Sequence, residues 1–434
     1  MLKFSFLLHL ILIYITNLSN AVADTAVERW DYVTVRPGAH LFYWLYHTTS
    51  PRGTQNAPLV MWLQGGPGQS STGMGNFLEI GPYDVSLKSR NTSWLSEASL
   101  LFVDNPVGSG YSYVESESLY CSSTKMIAAD MITFLKVFFK STNGREFQTV
   151  PFYIMTESYG GKMTTVIADQ LNQAIADGSV KCAFVGVTLG APFIHPAKTV
   201  QSWVNYTLAN ALIDEDEAKK LTDLYKLLEI AIANLEWKSA FNFQALMGAR
   251  LRNFTNWVNL YNCLRWDEKY QTQVFFKGMY DSSEDVLWAL MNGKIRNKLR
   301  IIPTNIIWGG QNDSVYVNLK ADIMKPVVNT VNKLVSRTKL QVAVYTSQLD
   351  IIVNTLGTLK WVETLKIYKD FSLAKRQPFT CPLTSNTCGF EKTHDNFSFF
   401  WIMNAGHMMP KDNGAAGLEM LKRILNKRTT GNRK

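Results

Sequence analysis

Short apolar runs set the rhythm of this chain. Residues 59–63 (LVMWL), 100–103 (LLFV), 152–155 (FYIM) and 184–189 (FVGVTL) contain almost no polar side chain. Between several of them lie helical stretches, such as 124–139 and 162–176. In the second, Met163, Val166, Ile167, Leu171, Ala174 and Ile175 share one face, and Gly178 follows as a stop. A strand that is apolar throughout must be covered on both sides. The pattern therefore predicts an α/β fold with a mostly parallel central sheet and helices on both faces. Upstream, residues 30–35 and 41–46 are β-branched and aromatic, and Arg36-Pro37-Gly38-Ala39-His40 separates them as the turn of an opening hairpin. Downstream, residues 342–345 and 399–403 predict two more strands, and 415–425 a closing helix.

The strand signal fades over residues 197–300, which are rich in Leu, Ala, Asn and Lys, with helical runs at 214–235 and 284–291. A helical insertion between strands, capping a site at the strand ends, is the simplest description. At the N-terminus, Lys3 precedes an apolar stretch over 4–15 that only Ser5 and His9 interrupt, and Ala21-Val22-Ala23 has the small-x-small form of a cleavage site. The stretch is too short to span a bilayer comfortably. The expected layout is a signal peptide (1–23), a core (24–196), a helical cap (197–300) and the remainder of the core (301–434). The mature chain then lies in the secretory pathway, without stable membrane insertion.

Composition agrees with a globular chain: of 434 residues, 46% are hydrophobic and 18% charged, which excludes extended disorder and a fibrous repeat. The net charge of +9 is small for this length, and the one local basic cluster is the tail at 422–434. No basic stripe interleaved with aromatics and no zinc-finger spacing occurs, so nucleic acid is not an expected partner. Asn91, Asn205, Asn253, Asn312 and Asn396 open Asn-x-Ser/Thr sequons, in keeping with secretion. Five cysteines leave at least one unpaired within the chain. Cys381 and Cys388 are near enough in sequence to pair across a loop, and no cysteine has metal-ligand spacing.

The sharpest chemical signal is Phe152-Tyr-Ile-Met155 running into Thr156-Glu157-Ser158-Tyr159-Gly160-Gly161 and then a helix. Strand, tight turn and helix, with serine at the apex, form the context of a nucleophile elbow, which lifts the hydroxyl clear of the sheet. The usual G-x-S-x-G begins here with Thr156 instead of Gly. A serine needs a base, and the base an orienting acid. His407 follows the strand at 399–403, and Asp350 follows the strand at 342–345, in the chain order Ser, Asp, His of such hydrolases. Either residue alone reads as a loop side chain; the three together favour catalysis. Gly65-Gly66-Pro67-Gly68 after an early strand lets backbone N–H groups approach a developing negative charge, with the Tyr159 N–H as second donor. Phosphate binding fits less well, because no G-x-x-x-x-G-K-[ST] appears and Pro67 lacks a donor.

At these residues the chain resembles the serine carboxypeptidases. The resembling segments are 62–71 (WLQGGPGQSS), 79–82, 104–113 (DNPVGSGYSY), 157–161, 348–353 and 405–410, in that family's order along nearly the whole chain. The resemblance implies an α/β-hydrolase fold with a helical cap, and release of single residues from peptide or protein C-termini, usually in acid, in lysosomes or after secretion. It implies Ser158, Asp350 and His407 as triad and Gly66 and Tyr159 as oxyanion donors. Trp62, Gln64, Glu79 and Glu157 would hold the substrate's terminal carboxylate, and Met408 would line the pocket of the leaving residue. No metal or organic cofactor is implied. Two carboxyls facing a carboxylate cannot all be ionised, so binding should favour acid.

Departures from that family's pattern are Gln69 where many members have a disulfide cysteine, Thr156, Gly190-Ala191-Pro192-Phe193, and Thr346-Ser347 in place of Asn-Gly. Two rivals stay open. A member that binds peptides or stabilises a partner without cleaving would not react with a fluorophosphonate. An esterase or acyltransferase with the same triad would have no use for Glu79 and Glu157.

Overall fold

A computed structural model describes residues 27–266, 282–381 and 386–431. The expected signal peptide, residues 1–23, lies outside the described residues.

One sheet of eleven strands organises the chain: β1 (Glu28–Arg36), β2 (Ala39–Tyr46), β3 (Leu59–Leu63), β4 (Ser99–Val103), β5 (Tyr113–Val114), β6 (Pro151–Glu157), β7 (Ala183–Gly190), β8 (Gln341–Ser347), β9 (Gln377–Thr380), β10 (Thr387–His394) and β11 (Phe397–Ile402). Its order is β1-β2-β4-β3-β6-β7-β8-β11-β10-β9, with β5 on β2. From β4 to β11 every neighbouring pair is parallel. The β1–β2 hairpin and the β9–β10–β11 meander are antiparallel margins. The fold is α/β, as the apolar runs require. The two margin strands β9 and β10 escape the sequence pattern, because their burial is partial and mixed.

Alternate residues of the central strands feed two cores. Leu59, Met61 and Leu63 of β3 join the cluster beneath α1 (Thr124–Phe138) and α2 (Tyr159–Ala176). Val60 and Trp62 join the opposite cluster, with Phe77 and with Met420 and Leu421 of the closing helix, Gly414–Gly431. Between β7 and β8 no strand intervenes among the described residues. Helices α3 (Pro196–Ala209), α4 (Glu215–Ala233) and α5 (Trp237–Phe254) follow β7. Asp214 caps α4 with a full capping box to Glu217. The helical stretch goes on with α6 (Ser282–Leu290) and, beyond residue 300, with α7 (Asp313–Ile323) and α8 (Val328–Arg337). No helix among the described residues is long and apolar enough to cross a membrane.

Candidate active site

Ser158, Asp350 and His407 follow β6, β8 and β11, three parallel strands of one sheet, so their loops emerge at the same edge. Ser158 has φ +61°, ψ −127°. That left-handed backbone costs a non-glycine residue free energy, which fits a strained turn at a reactive group. The turn is held by Ser158 N–H donating to Gly190 O at 2.8 Å, and by Ser158 O accepting from Phe193 N–H at 3.1 Å. Thr156 tucks its hydroxyl onto Leu63 O at 2.8 Å. The missing side chain at Gly160 makes room for it: a Cβ there would lie 2.0 Å from Thr156 Oγ1. Thr156 and Gly160 are thus a matched pair.

His407 Nδ1 and Asp350 Oδ2 are 2.7 Å apart and both side chains are buried. Asp350 Oδ1 also accepts from Val353 N–H at 3.0 Å. A residue the sequence pattern missed, Tyr261, secures the histidine: its carbonyl accepts from His407 N–H at 2.6 Å, and its ring meets the imidazole edge-on at 5.1 Å. Tyr261 also lines the pocket beside Ser158, together with Gly66, Tyr159, Phe193 and Tyr316. Only chain crossing from the helical insertion could bring it there, so local sequence carried no signal.

Gly66 has φ +105°, and a Cβ on Gly65 would fall 2.6 Å from Ser158 Cβ. The glycines are what allow this loop to lie against the elbow. Tyr159 opens α2, so its N–H is one of the helix-start donors without an intrahelical acceptor.

Trp62, Gln64, Glu79 and Glu157 form a second, buried group. Trp62 Nε1 donates to Gln64 Oε1 at 2.7 Å, and Gln64 Nε2 donates to Glu157 Oε1 at 3.2 Å. Glu79 arrives on the π-helix Ser71–Ile80, which can approach because a Cβ on Gly75 would sit 2.4 Å from Trp62. Neither Glu79 oxygen has a hydrogen bond of normal geometry, nor does Glu157 Oε2. Glu157 and Gln64 nonetheless lie close enough to act on the titration of Glu79. Burial drives Glu79 up to about 7. Burial and then the facing Glu79 carboxylate hold Glu157 well above the usual range. Two carboxyls so placed hold protons above the usual carboxylate range and titrate as a pair.

Met408 is buried in the apolar cluster that contains Trp62 and is not among the residues lining the pocket beside Ser158. Asn91, Asn205 and Asn253 are exposed. The Asn312 and Asn396 amides are engaged: Asn312 Nδ2 donates to Gly108 O, and Asn396 Nδ2 to Leu340 O and Val335 O. Cys381 and Cys388 form a disulfide, whereas Cys121, Cys182 and Cys263 are free. Gln69 forms a β-bridge with Gln311. At Gly190 the Tyr345 ring occupies the space of a side chain, 2.0 Å from a would-be Cβ, and Ala191 takes φ +37°. Thr346 and Ser347 continue β8 without a positive φ, so no Asn-Gly turn is needed. Among the described residues no three His, Cys, Asp or Glu side chains gather as a metal site.

The family model described as serine carboxypeptidase matches residues 22–427. Retinoid-inducible serine carboxypeptidase of Mus musculus is 42% identical over 414 residues, covering 92% of this chain and 91% of the mouse protein. The Homo sapiens protein of that name is 41% identical over 427 residues, covering 94% of each. Serine carboxypeptidase-like 51 of Arabidopsis thaliana is 35% identical, covering 92% of each. A crystal structure of a prohormone-processing carboxypeptidase from Saccharomyces cerevisiae shares the fold, with a TM-score of 0.81 at 21% identity over 92% of this chain and 91% of that one.

Proposed function

The chain belongs to the serine carboxypeptidase family, peptidases of the hydrolase class, and from that premise we propose that it releases single C-terminal residues from peptides through an acyl-enzyme, best in acid. Ser158 Oγ attacks the scissile carbonyl while His407 takes its proton. Asp350 holds Nδ1–H and so leaves Nε2 as the base. The N–H groups of Gly66 and Tyr159 receive the oxyanion. His407 then protonates the leaving amine, and water enters to release the shortened peptide.

The observation that carries this reading is the buried acid pair. Three buried carboxyl oxygens without a normal hydrogen bond, beside the Gln64 amide, leave this cluster short of partners. A buried polar group left unpaired costs about 1–3 kcal/mol, so such a cluster gains from a ligand that supplies the missing hydrogen bonds. A carboxylate is the matching ligand while the pair is protonated. The pair counts against an esterase, and the buried Asp350–His407 bond together with the strained backbone at Ser158 counts against a member that only binds. The chain is assigned to the secretory pathway, secreted or lysosomal, on its leader and sequons; the proposed division is a core from 24 to 196, a helical insertion that opens at 197 and extends past 300 through α8, and the rest of the core from β8 onward.

The test is amino-acid release from blocked dipeptides, each with a free or an amidated C-terminus, beside Ser158→Ala. Release that needs Ser158, favours the free carboxylate and is strongest in acid supports the proposal. Silence across the panel without fluorophosphonate labelling of Ser158 would sink it.

A further inference from the structure

Helix α7 touches the site at both ends. Its entry segment crosses the glycine loop: Gln311 Nε2 donates to Pro67 O at 2.6 Å, Asn312 N–H to Gly68 O at 3.0 Å, and Ser70 N–H to Gly310 O at 3.1 Å. The crossing is close, since a Cβ on Gly66 would lie 3.0 Å from Gln311 Oε1 and one on Gly68 2.8 Å from Asn312 O. Asn312 also caps the helix, accepting from Ser314 N–H at 2.9 Å.

The other end is knotted to the nucleophile helix. Lys162 Nζ donates to the carbonyls of Asp322 and Ile323, the latter at 2.9 Å. The Asp322 carboxylate accepts from the Tyr159 hydroxyl at 3.1 Å and from Thr124 N–H at 3.1 Å, and lies 3.9 Å from Lys162 Nζ. The last carbonyls of a helix lack intrahelical partners and carry partial negative charge, so a cation there satisfies both needs. Lys162 is fully buried, and burial pushes it down to about 7. A buried ammonium is costly unless paired, and its partners here are the end of α7. Tyr159 and Lys162 both lie on the first turn of α2, directly behind Ser158.

We propose that α7 is a strut that sets the spacing between the Gly66 and Tyr159 N–H groups, with Lys162 as the positioning residue that fastens it to the nucleophile helix. Eleven helical residues make a rigid link of about 16 Å. Tyr316 and Ile323 on the same helix line the pocket beside Ser158, so a loosened strut would also disturb the pocket wall. The inference rests on the assignment of Gly66 and Tyr159 as oxyanion donors.

The test uses the full chain with Lys162→Met, Gln311→Ala and the double variant, on a depsipeptide ester and its thionoester. Sulfur accepts hydrogen bonds poorly, so the oxo-to-thiono rate ratio reports on the oxyanion hole alone. Each single variant should lower kcat about tenfold to a hundredfold, and the ratio should fall alongside. The double variant should lose less than the product of the two, because both act through one helix. A lowered kcat with the oxo-to-thiono ratio unchanged overturns the strut and leaves the hole intact. A wild-type ratio near one overturns the hole itself. If Lys162→Met fails to fold, the half-buried Gln311→Ala decides by the same ratio.

Discussion

Converting both members of the acid pair to amides, Glu79→Gln with Glu157→Gln, should change how peptide cleavage depends on pH and leave the chemistry at Ser158 alone. In the wild type, burial raises both groups, Glu79 to about 7 and Glu157 beyond the usual range because Glu79 faces it. Below that midpoint the pair carries protons and can donate to a peptide carboxylate. Above it, each unit of pH lowers the protonated fraction of Glu79 about tenfold, or about 1.4 kcal/mol. Two units above the midpoint, kcat/KM for a free C-terminus should be down about a hundredfold. The double amide keeps N–H donors and cannot ionise, so the decline should shrink to within about threefold, less than one lost neutral hydrogen bond. Glu157→Gln alone leaves Glu79 to titrate, and a one-proton decline should persist.

The assay is initial-rate amino-acid release from about pH 4 to about pH 9, with the C-terminally amidated peptide in parallel to cancel what the triad contributes. The same shift has a stability counterpart. A carboxyl whose folded pKa is raised adds stability below its unfolded value, and that stability is lost as pH rises through the folded one. For Glu79 the window runs from 4.5 to about 7, which is on the order of 3 kcal/mol. The double amide should lose this pH dependence of the melting temperature. Parallel declines of free and amidated peptides in the wild type, or a double amide that keeps the full decline, would refute the role given to the pair.

Ser158→Ala should abolish peptide cleavage and fluorophosphonate labelling together, while Asp350→Asn should lower kcat by about a thousandfold or more because the imidazole loses its orienting acceptor; steady-state kinetics with one blocked dipeptide checks both. Gly160→Ala should cost about 1–3 kcal/mol in denaturant unfolding, since its Cβ would meet Thr156 Oγ1 at 2.0 Å and Leu63 O at 2.7 Å. Adding Thr156→Gly should restore part of that loss, and an equal loss in both backgrounds would refute the pairing. Glycopeptide mass spectrometry of secreted protein should find glycans at the exposed Asn91, Asn205 and Asn253, and a glycan at Asn396 would contradict the engagement of its amide.

The sequence by itself determined whatever depends on neighbours along the chain. Strands β3, β4, β6 and β7 are legible because burial on both faces demands uninterrupted apolar residues, and α2 because its face repeats every turn. Ser158 is legible because an elbow is local: strand, tight turn and helix within ten residues. The order of Asp350 and His407 could be read from the strands before them. Only the tertiary structure decided the rest. Glu79 reads locally as a charge at a helix end, and its meaning comes from Glu157, seventy-eight positions on, across a contact that Gly75 permits. Tyr261, Gln311, Lys162 and Asp322 reach the site through chain crossings between the helical insertion and the core. Such crossings leave no periodic trace, because hydrogen bonds between distant segments constrain single residues and not a repeating face. The raised acid pair belongs to the same class: ionisation is set by burial and by the facing charge, and both exist only once the chain has closed around them.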